Sequence, residues 1–397
     1  MPAGSPTPSV IVHVFGRTDV GRTREHNEDA FVVADLTRGN ATLQPEVRTH
    51  VVGDRGTLFM VADGMGGAAA GEIASAMAIE VVLRELSEAF SSVNAPTAEI
   101  YGRALKQATA TANTEIHSFA LEHPEFRGMG TTATIAGVLG DTLYLAQVGD
   151  SRAYLVRDGV AKQITKDQSL MQKLIEAGEI TEEEAEQSER RNIILQALGP
   201  EALVKVDLTH QKVCQGDVLV LCSDGLSGQV RGHEIADVIT TEPDLVAVCK
   251  TLIDRANENG GPDNITVIAA RFHGEGLSVP SIGDAVGHRT FQLATDSGQT
   301  AAAAARATLP LGTTNPTIPT PAVTRRTTAK TIVPDEIQLT SDFPAQVTAT
   351  RRTRGSLIAL ALLLILLAGV TWWAYQAASS VVAARKDSGV VPVNTTP

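Results

Sequence analysis

Between Thr131 and Thr165 four short apolar runs follow one another directly, TTATIAGVL, TLYLAQV, SRAYLV and VAKQIT. A Gly140-Asp141 turn follows the first, and Arg157-Asp158-Gly159 joins the last two. Strands joined by turns this short run antiparallel, because a parallel crossover needs a dozen or more residues. TLFMVA before Asp63, DVLVLC before Asp224 and ITVIAARF after Asn264 read as further strands. Helices are expected from about Glu72, where Ile73, Ala76, Met77, Val81 and Leu86 lie near helical spacing, and over Ala98 to Leu121, where Leu105, Ala108, Ala112, Ile116 and Phe119 share a face. Gln168 to Leu198 also reads as helical, the run Thr181-Glu182-Glu183-Glu184 opening one helix. Helices kept apart from runs of strands indicate an α+β sandwich.

At 397 residues the chain exceeds what one core usually serves. Globular spacing of apolar runs and turns ends near residue 273, and Thr, Ala and Pro dominate from Gly276 to Gly355. The expected division is a folded domain over 10–273, a disordered linker over 274–355, a membrane-crossing helix over 356–376 and a short tail over 377–397. The run Leu357 to Tyr375 carries no charge. As a helix it spans about 28 Å of a hydrocarbon layer about 30 Å thick. The segment MPAGSPTPSV has neither a basic nor an apolar export region. The expectation is therefore a single-pass protein of the cell membrane, its large domain cytoplasmic and its tail outside. Cys214, Cys222 and Cys249 form no CxxC pair, which speaks against a disulfide framework and a zinc site. A net charge of −12, with no basic stripe before the linker, excludes a nucleic-acid backbone as partner.

Three aspartates sit at strand ends beside glycine or a turn: Asp63-Gly64, Asp224-Gly225, and Asp263 in Gly261-Pro262-Asp263-Asn264. Glu28-Asp29 follows Arg24 by four residues. Strand ends are rigid, so carboxylates placed there can converge without loop entropy being lost on binding. Without clustered His or Cys, such a set suits hard cations, Mn²⁺ or Mg²⁺. Two of them about 3.5–4 Å apart would activate a water and clamp phosphoryl oxygens. Singly these signals are weak, since a lone Asp-Gly is far more often a turn and a lone Arg a surface charge.

Taken in order they are stronger. The blocks Asp19-Val20-Gly21, Arg24-xxx-Glu28-Asp29, Asp63-Gly64-Met65-Gly66-Gly67, Gly128-Met129-Gly130-Thr131-Thr132, Gly149-Asp150-Ser151-Arg152, Cys222-Ser223-Asp224-Gly225-Leu226 and Gly261-Pro262-Asp263-Asn264 resemble the metal-dependent type-2C (PPM) Ser/Thr protein phosphatases, specifically their bacterial branch. The resemblance runs from about Thr18 to Ala270. It implies a four-layer α-β-β-α sandwich, two antiparallel sheets face to face with helices outside, and a site for two metal ions at one end. Carried over, Asp63 bridges both ions, Gly64 offers its carbonyl, Asp224 and Asp263 complete one ion, and Glu28, with Asp29 beside it, serves the other. Arg24 would hold the phosphate, a role suited to its planar fork. Thr165 to Leu198 resembles the flap that borders the cleft. The implied function is hydrolysis of phosphoserine and phosphothreonine in proteins, opposing Ser/Thr protein kinases. A catalytically inactive membrane-anchored scaffold is the alternative, and the intact ligand set speaks against it.

Three departures from the family pattern stand out. Met65 replaces a histidine that eukaryotic members carry. Gly228 replaces an aspartate that, with the residue matching Asp150, holds a third and weaker metal in many relatives, which leaves Asp150 as the remaining candidate ligand there. Residues 36–56 look like a hairpin extension longer than in compact relatives.

Overall fold

The computed structural model describes residues 9–39, 49–66, 70–93, 95–188, 190–281 and 283–294. The apolar run 357–375, the tail and the linker beyond 294 lie outside the described residues, among which no helix is long and apolar enough to cross a membrane. In chain order the strands are β1 (Ile11–Asp19), β2 (Asp29–Asp35), β3 (Thr49–Val51), β4 (Thr57–Met65), β5 (Gly130–Thr131), β6 (Ala133–Leu139), β7 (Thr142–Val148), β8 (Arg152–Arg157), β9 (Val160–Gln163), β10 (Asp207–Lys212), β11 (Val218–Cys222) and β12 (Ile265–His273). The helices are α1 (Ala70–Ser91), α2 (Ala98–Glu122), α3 (Leu170–Glu176), α4 (Glu182–Glu186), α5 (Asp224–Ser227), α6 (Gly232–Thr241) and α7 (Leu245–Glu258).

Two antiparallel sheets form, one in the order β3-β1-β12-β11-β8-β9 and the other β10-β7-β6-β4-β2, with β5 on β4. The two-residue period of the strands decides where each side chain goes. Along β4, Phe59 and Val61 enter the core between the sheets, while Leu58, Met60 and Ala62 face α1 and α2. Along β12, Ile268, Ala270 and Phe272 face inward, while Ile265, Val267 and Ala269 face α6 and α7. Both faces of the central strands are therefore buried, which explains why they read as unbroken apolar runs. Three stacked cores result, and the expected four-layer α-β-β-α sandwich is what the chain builds.

Three expectations need correction. Residues 36–56 are closed at their base like a hairpin, Leu36 N–H donating to the Gly56 carbonyl at 3.1 Å, but β3 inside them pairs with β1 of the opposite sheet. Among the described residues, Gln168–Leu198 holds only the short helices α3 and α4, the latter opened by a Thr181–Glu184 capping box. The linker does not begin at residue 274. His210 N–H donates to the Arg289 carbonyl and Phe291 N–H to the Leu208 carbonyl, so the chain runs along the free edge of β10, and Leu277 and Leu293 are buried. This strap is fastened by Arg157, which pairs with Asp217 and reaches the Asp284 carbonyl. Its apolar residues are too widely spaced to show a period in the sequence.

Candidate active site

The strand ends converge as their register requires. Asp29 opens β2 directly opposite Asp63 near the end of β4. Asp224 follows β11, Asp263 precedes β12, and Asp150 lies between β7 and β8. Asp63 is fixed through its backbone: its carbonyl accepts from Thr132 N–H at 2.9 Å and Thr131 Oγ1 at 2.9 Å, and its N–H donates to Thr132 Oγ1 at 3.0 Å. Gly64 must be glycine because a Cβ there would lie 2.2 Å from the Gly71 carbonyl oxygen. Gly225 is equally constrained, at 2.0 Å from the Asn264 carbonyl oxygen.

The Asp29 carboxylate is held on one side only. Its Oδ2 accepts from Ser223 Oγ at 2.8 Å and Thr266 Oγ1 at 2.6 Å, whereas Oδ1 is buried without a hydrogen-bond partner. Asp150 Oδ1 is likewise buried and unpartnered. Arg24 Nη2 donates to Asp263 Oδ2 at 2.8 Å. Asn264 pins the loop that carries Arg24, accepting from Glu28 N–H at 2.8 Å and donating to the Val20 and His26 carbonyls at 2.9 Å each. Glu28 itself lies over the first turn of α1, its carboxylate accepting from Gly71 N–H.

Asp29, Asp63 and Asp224 retain some solvent-accessible area, yet protein atoms crowd them closely enough to disfavour their charged forms. Desolvation, opposed by the Ser223 and Thr266 hydrogen bonds and reinforced by the charge of Asp224, raises Asp29 to about 7. Desolvation and the charges of Asp224 and Asp167 raise Asp150 to about 8. Asp63 is pushed well above the usual carboxylate range by burial first, then by Asp29, Asp224, Asp150 and Asp263. Asp224 is raised by burial and by Asp263. Glu28 is raised by burial, with Arg24 working against the shift. Crowded carboxylates with unpartnered oxygens form a donor set that hard cations would neutralise, so the residues fit a divalent metal site. Among the described residues no three acidic, His or Cys side chains already stand as a closed coordination group. The fit rests on charge and unsatisfied oxygens.

A cleft of about 410 Å³ opens beside the cluster, its walls running from Arg24, Asp150, Asp224 and Asp263 to Met171, Ile175 and Arg191 of the flap. Of the residues expected from sequence, Arg24, Asp150, Asp224 and Asp263 line this cleft; Asp29 and Asp63 lie close enough to Asp224 and Asp263 to feel their charge, with Glu28 and Gly64 next to them in the chain. Ser223, Thr266 and Asn264 escaped the sequence reading as functional residues. Their hydroxyls and amide act locally, and only the Ser223-Asp224 and Asp263-Asn264 adjacency hints at them.

The protein phosphatase 2C family profile matches residues 38–270. The chain belongs to the protein phosphatase 2C family. It is 39% identical over 258 residues to the serine/threonine phosphatase stp of Listeria innocua, covering 65% of this chain and 94% of that one. Among solved structures, the Mycobacterium tuberculosis serine/threonine phosphatase PstP/Ppp is similar with a TM-score of 0.55 and 33% identity, over 68% of this chain and 99% of that one. The PstP catalytic domain in complex with two manganese ions gives a TM-score of 0.53 at 33% identity, over 66% of this chain and 99% of that one. The match to the phosphatase 2C family begins after Arg24, Glu28 and Asp29.

Proposed function

We propose that this chain hydrolyses phosphoserine and phosphothreonine in proteins with the help of two divalent cations, Mn²⁺ or Mg²⁺. The observation that carries the reading is the set of mutually repelling aspartates with two unpartnered oxygens beside the Arg24 guanidinium, in a chain of the phosphatase 2C family. Asp63, the Gly64 carbonyl, Asp224 and Asp263 would hold the cations, with Glu28 and Asp29 beside the second. Asp150 is a candidate for a third, weaker ion. When bound, the cations would acidify water and neutralise charge developing on the phosphoryl oxygens. The protein's own part is positioning. Arg24 presents a planar fork to the phosphate, Ser223 and Thr266 fix the Asp29 carboxylate through Oδ2 and leave Oδ1 unpartnered, and the strand ends keep the ligands in place between turnovers.

The substrates would be phosphoproteins, among them Ser/Thr protein kinases, consistent with the cleft between cluster and flap. The apolar run 357–375 would anchor the chain in the cell membrane, with the catalytic domain on the cytoplasmic side. The test is release of phosphate from a phosphothreonine peptide and from p-nitrophenyl phosphate, with and without Mn²⁺. Cation-dependent release from both is expected. Binding of the phosphopeptide without release would favour the scaffold reading. Protease added to spheroplasts should spare the domain, and its digestion would reverse the orientation.

A further inference from the structure

Arg152 is the first residue of β8 and stands opposite Cys222, the last residue of β11, in the sheet register. Asp150 precedes Arg152 by two residues and Asp224 follows Cys222 by two, so both carboxylates leave the same end of the sheet next to this pair. All three guanidinium nitrogens of Arg152 are committed elsewhere. Nε donates to Asp167 Oδ1 and Oδ2 at 3.1 and 2.9 Å, Nη2 to Oδ2 at 2.7 Å, and Nη1 to the Tyr154 hydroxyl at 3.2 Å. Asp167 is buried and is held from its other side by the Gln163 amide at 2.7 Å. It belongs to the incoming leg of the flap, whose next residue, Gln168, exchanges hydrogen bonds with Gly149 through both backbone and side chain. Arg152, Asp167, Asp150 and Asp224 line one cleft.

We infer that Arg152 is a positioning residue for the acidic cluster, a fixed counter-charge that Asp167 restrains from competing with cations for the Asp150 and Asp224 oxygens. The inference rests on the cation-dependent reading of the site given above. A guanidinium forms charge-assisted hydrogen bonds to any carboxylate within reach. Fastened by a fork-to-carboxylate pair, it screens the repulsion between Asp150 and Asp224 at a distance. Released, it can turn toward those oxygens and occupy them. Asp167 therefore contributes to cation affinity without touching the cation, and it does so from the root of the flap.

The test is calorimetric titration of Mn²⁺ into the full-length chain after stripping with a chelator. Asp167→Asn keeps the shape of the side chain but frees Arg152. It should weaken Mn²⁺ binding roughly five- to tenfold, the effect of one unmatched positive charge near a divalent ion in a partly hydrated site. The double variant Asp167→Asn with Arg152→Gln removes the competitor and should bind Mn²⁺ at least as tightly as the wild type, to within about twofold. A pair that served only to hold the fold together would not recover in the double variant. Equal weakening in the single and double variants overturns the inference. So does unchanged affinity in Asp167→Asn. Arg152→Met with Asp167→Asn is the second form of the double, should the glutamine fail to fold as judged by circular dichroism. Wild-type chain that binds no Mn²⁺ would remove the cation-dependent reading itself, an outcome distinct from the pattern among the variants.

Discussion

The side-chain oxygen of Asn264 accepts the backbone N–H of Glu28 at 2.8 Å, tying the residue after Asp263 to the loop that carries Arg24. With the Val20 and His26 carbonyls bonded to the same amide, one side chain closes three backbone groups far away in sequence. Asn264→Ala should lower stability by about 1–3 kcal/mol, the cost of leaving partly buried backbone groups unsatisfied. It should also raise KM for a phosphopeptide, because Arg24 loses its footing. A variant with unchanged denaturation midpoint and unchanged KM would show that the loop holds itself.

Asp63→Asn and Asp224→Asn are expected to abolish phosphate release while the domain stays folded. Each replaces a carboxyl whose charged form the site disfavours with a neutral amide of the same shape, so the chelator-treated variants should melt no lower than the chelator-treated wild type. Differential scanning calorimetry beside an activity assay separates this from misfolding. Retained Mn²⁺-dependent turnover in either variant would refute the assignment.

Arg24 is held at 2.8 Å by Asp263, a contact that an incoming phosphate must share or displace. Arg24→Ala should raise KM on the order of ten- to a hundredfold with a smaller loss of kcat, because the fork grips phosphate before and during reaction. Arg24→Lys should not restore it, since an ammonium lacks the two parallel donors. Steady-state kinetics on p-nitrophenyl phosphate are sufficient, and an unchanged KM would make Arg24 structural.

The raised carboxylates predict an inverted pH dependence of stability in metal-free protein. Asp29 is raised to about 7 and Asp150 to about 8, against about 4 for an unfolded aspartate. Between those limits the folded state binds more protons than the unfolded state, so stability falls as pH rises. It is greatest at the acid end of this window and is lost as pH climbs through 7 to 8. Chelator-treated protein should therefore melt higher at pH about 6 than at about 8.5, and saturating Mn²⁺ should flatten or reverse the trend by favouring the charged forms. Melting curves at the two pH values, with and without Mn²⁺, decide this.

A chain ending at His273 should be less stable than one ending at Ala294. The shorter chain loses the strap, leaving the β10 edge open for pairing with another chain. Phe291, which packs against Tyr144, would be lost with it. Light scattering and thermal melting of the two truncations test this, and identical behaviour would make the strap dispensable.

Asp63, Asp224 and Asp263 were legible because they stand at one end of β4, β11 and β12, strands buried on both faces, and such strands announce themselves as apolar runs. β10 escaped notice because DLTHQK is polar and its burial depends on the strap. β1 reads IVHVFGRTD, where His13 and Arg17 interrupt the apolar residues on a partly exposed strand. α7 carries Val248, Cys249, Leu252, Ile253 and Ala256 at helical spacing, a buried face that the sequence shows openly. The charge balance around Arg152 was not legible at all, since the Arg152–Asp167 pair crosses from a strand to the flap and is set by packing.

β12 lies between β1 and β11, so β1 has the three-residue β3 as its other neighbour until β12 arrives. During synthesis at about 5–20 residues per second, β1 emerges tens of seconds before β12. The sheet that carries Asp224 and Asp263 cannot close before then, whereas β2, β4, β6 and β7 can already pair. The site is thus completed only as the domain leaves the ribosome, and a nascent chain stalled before Ile265 presents two unpaired strand edges and a half-built cluster unable to act on any substrate.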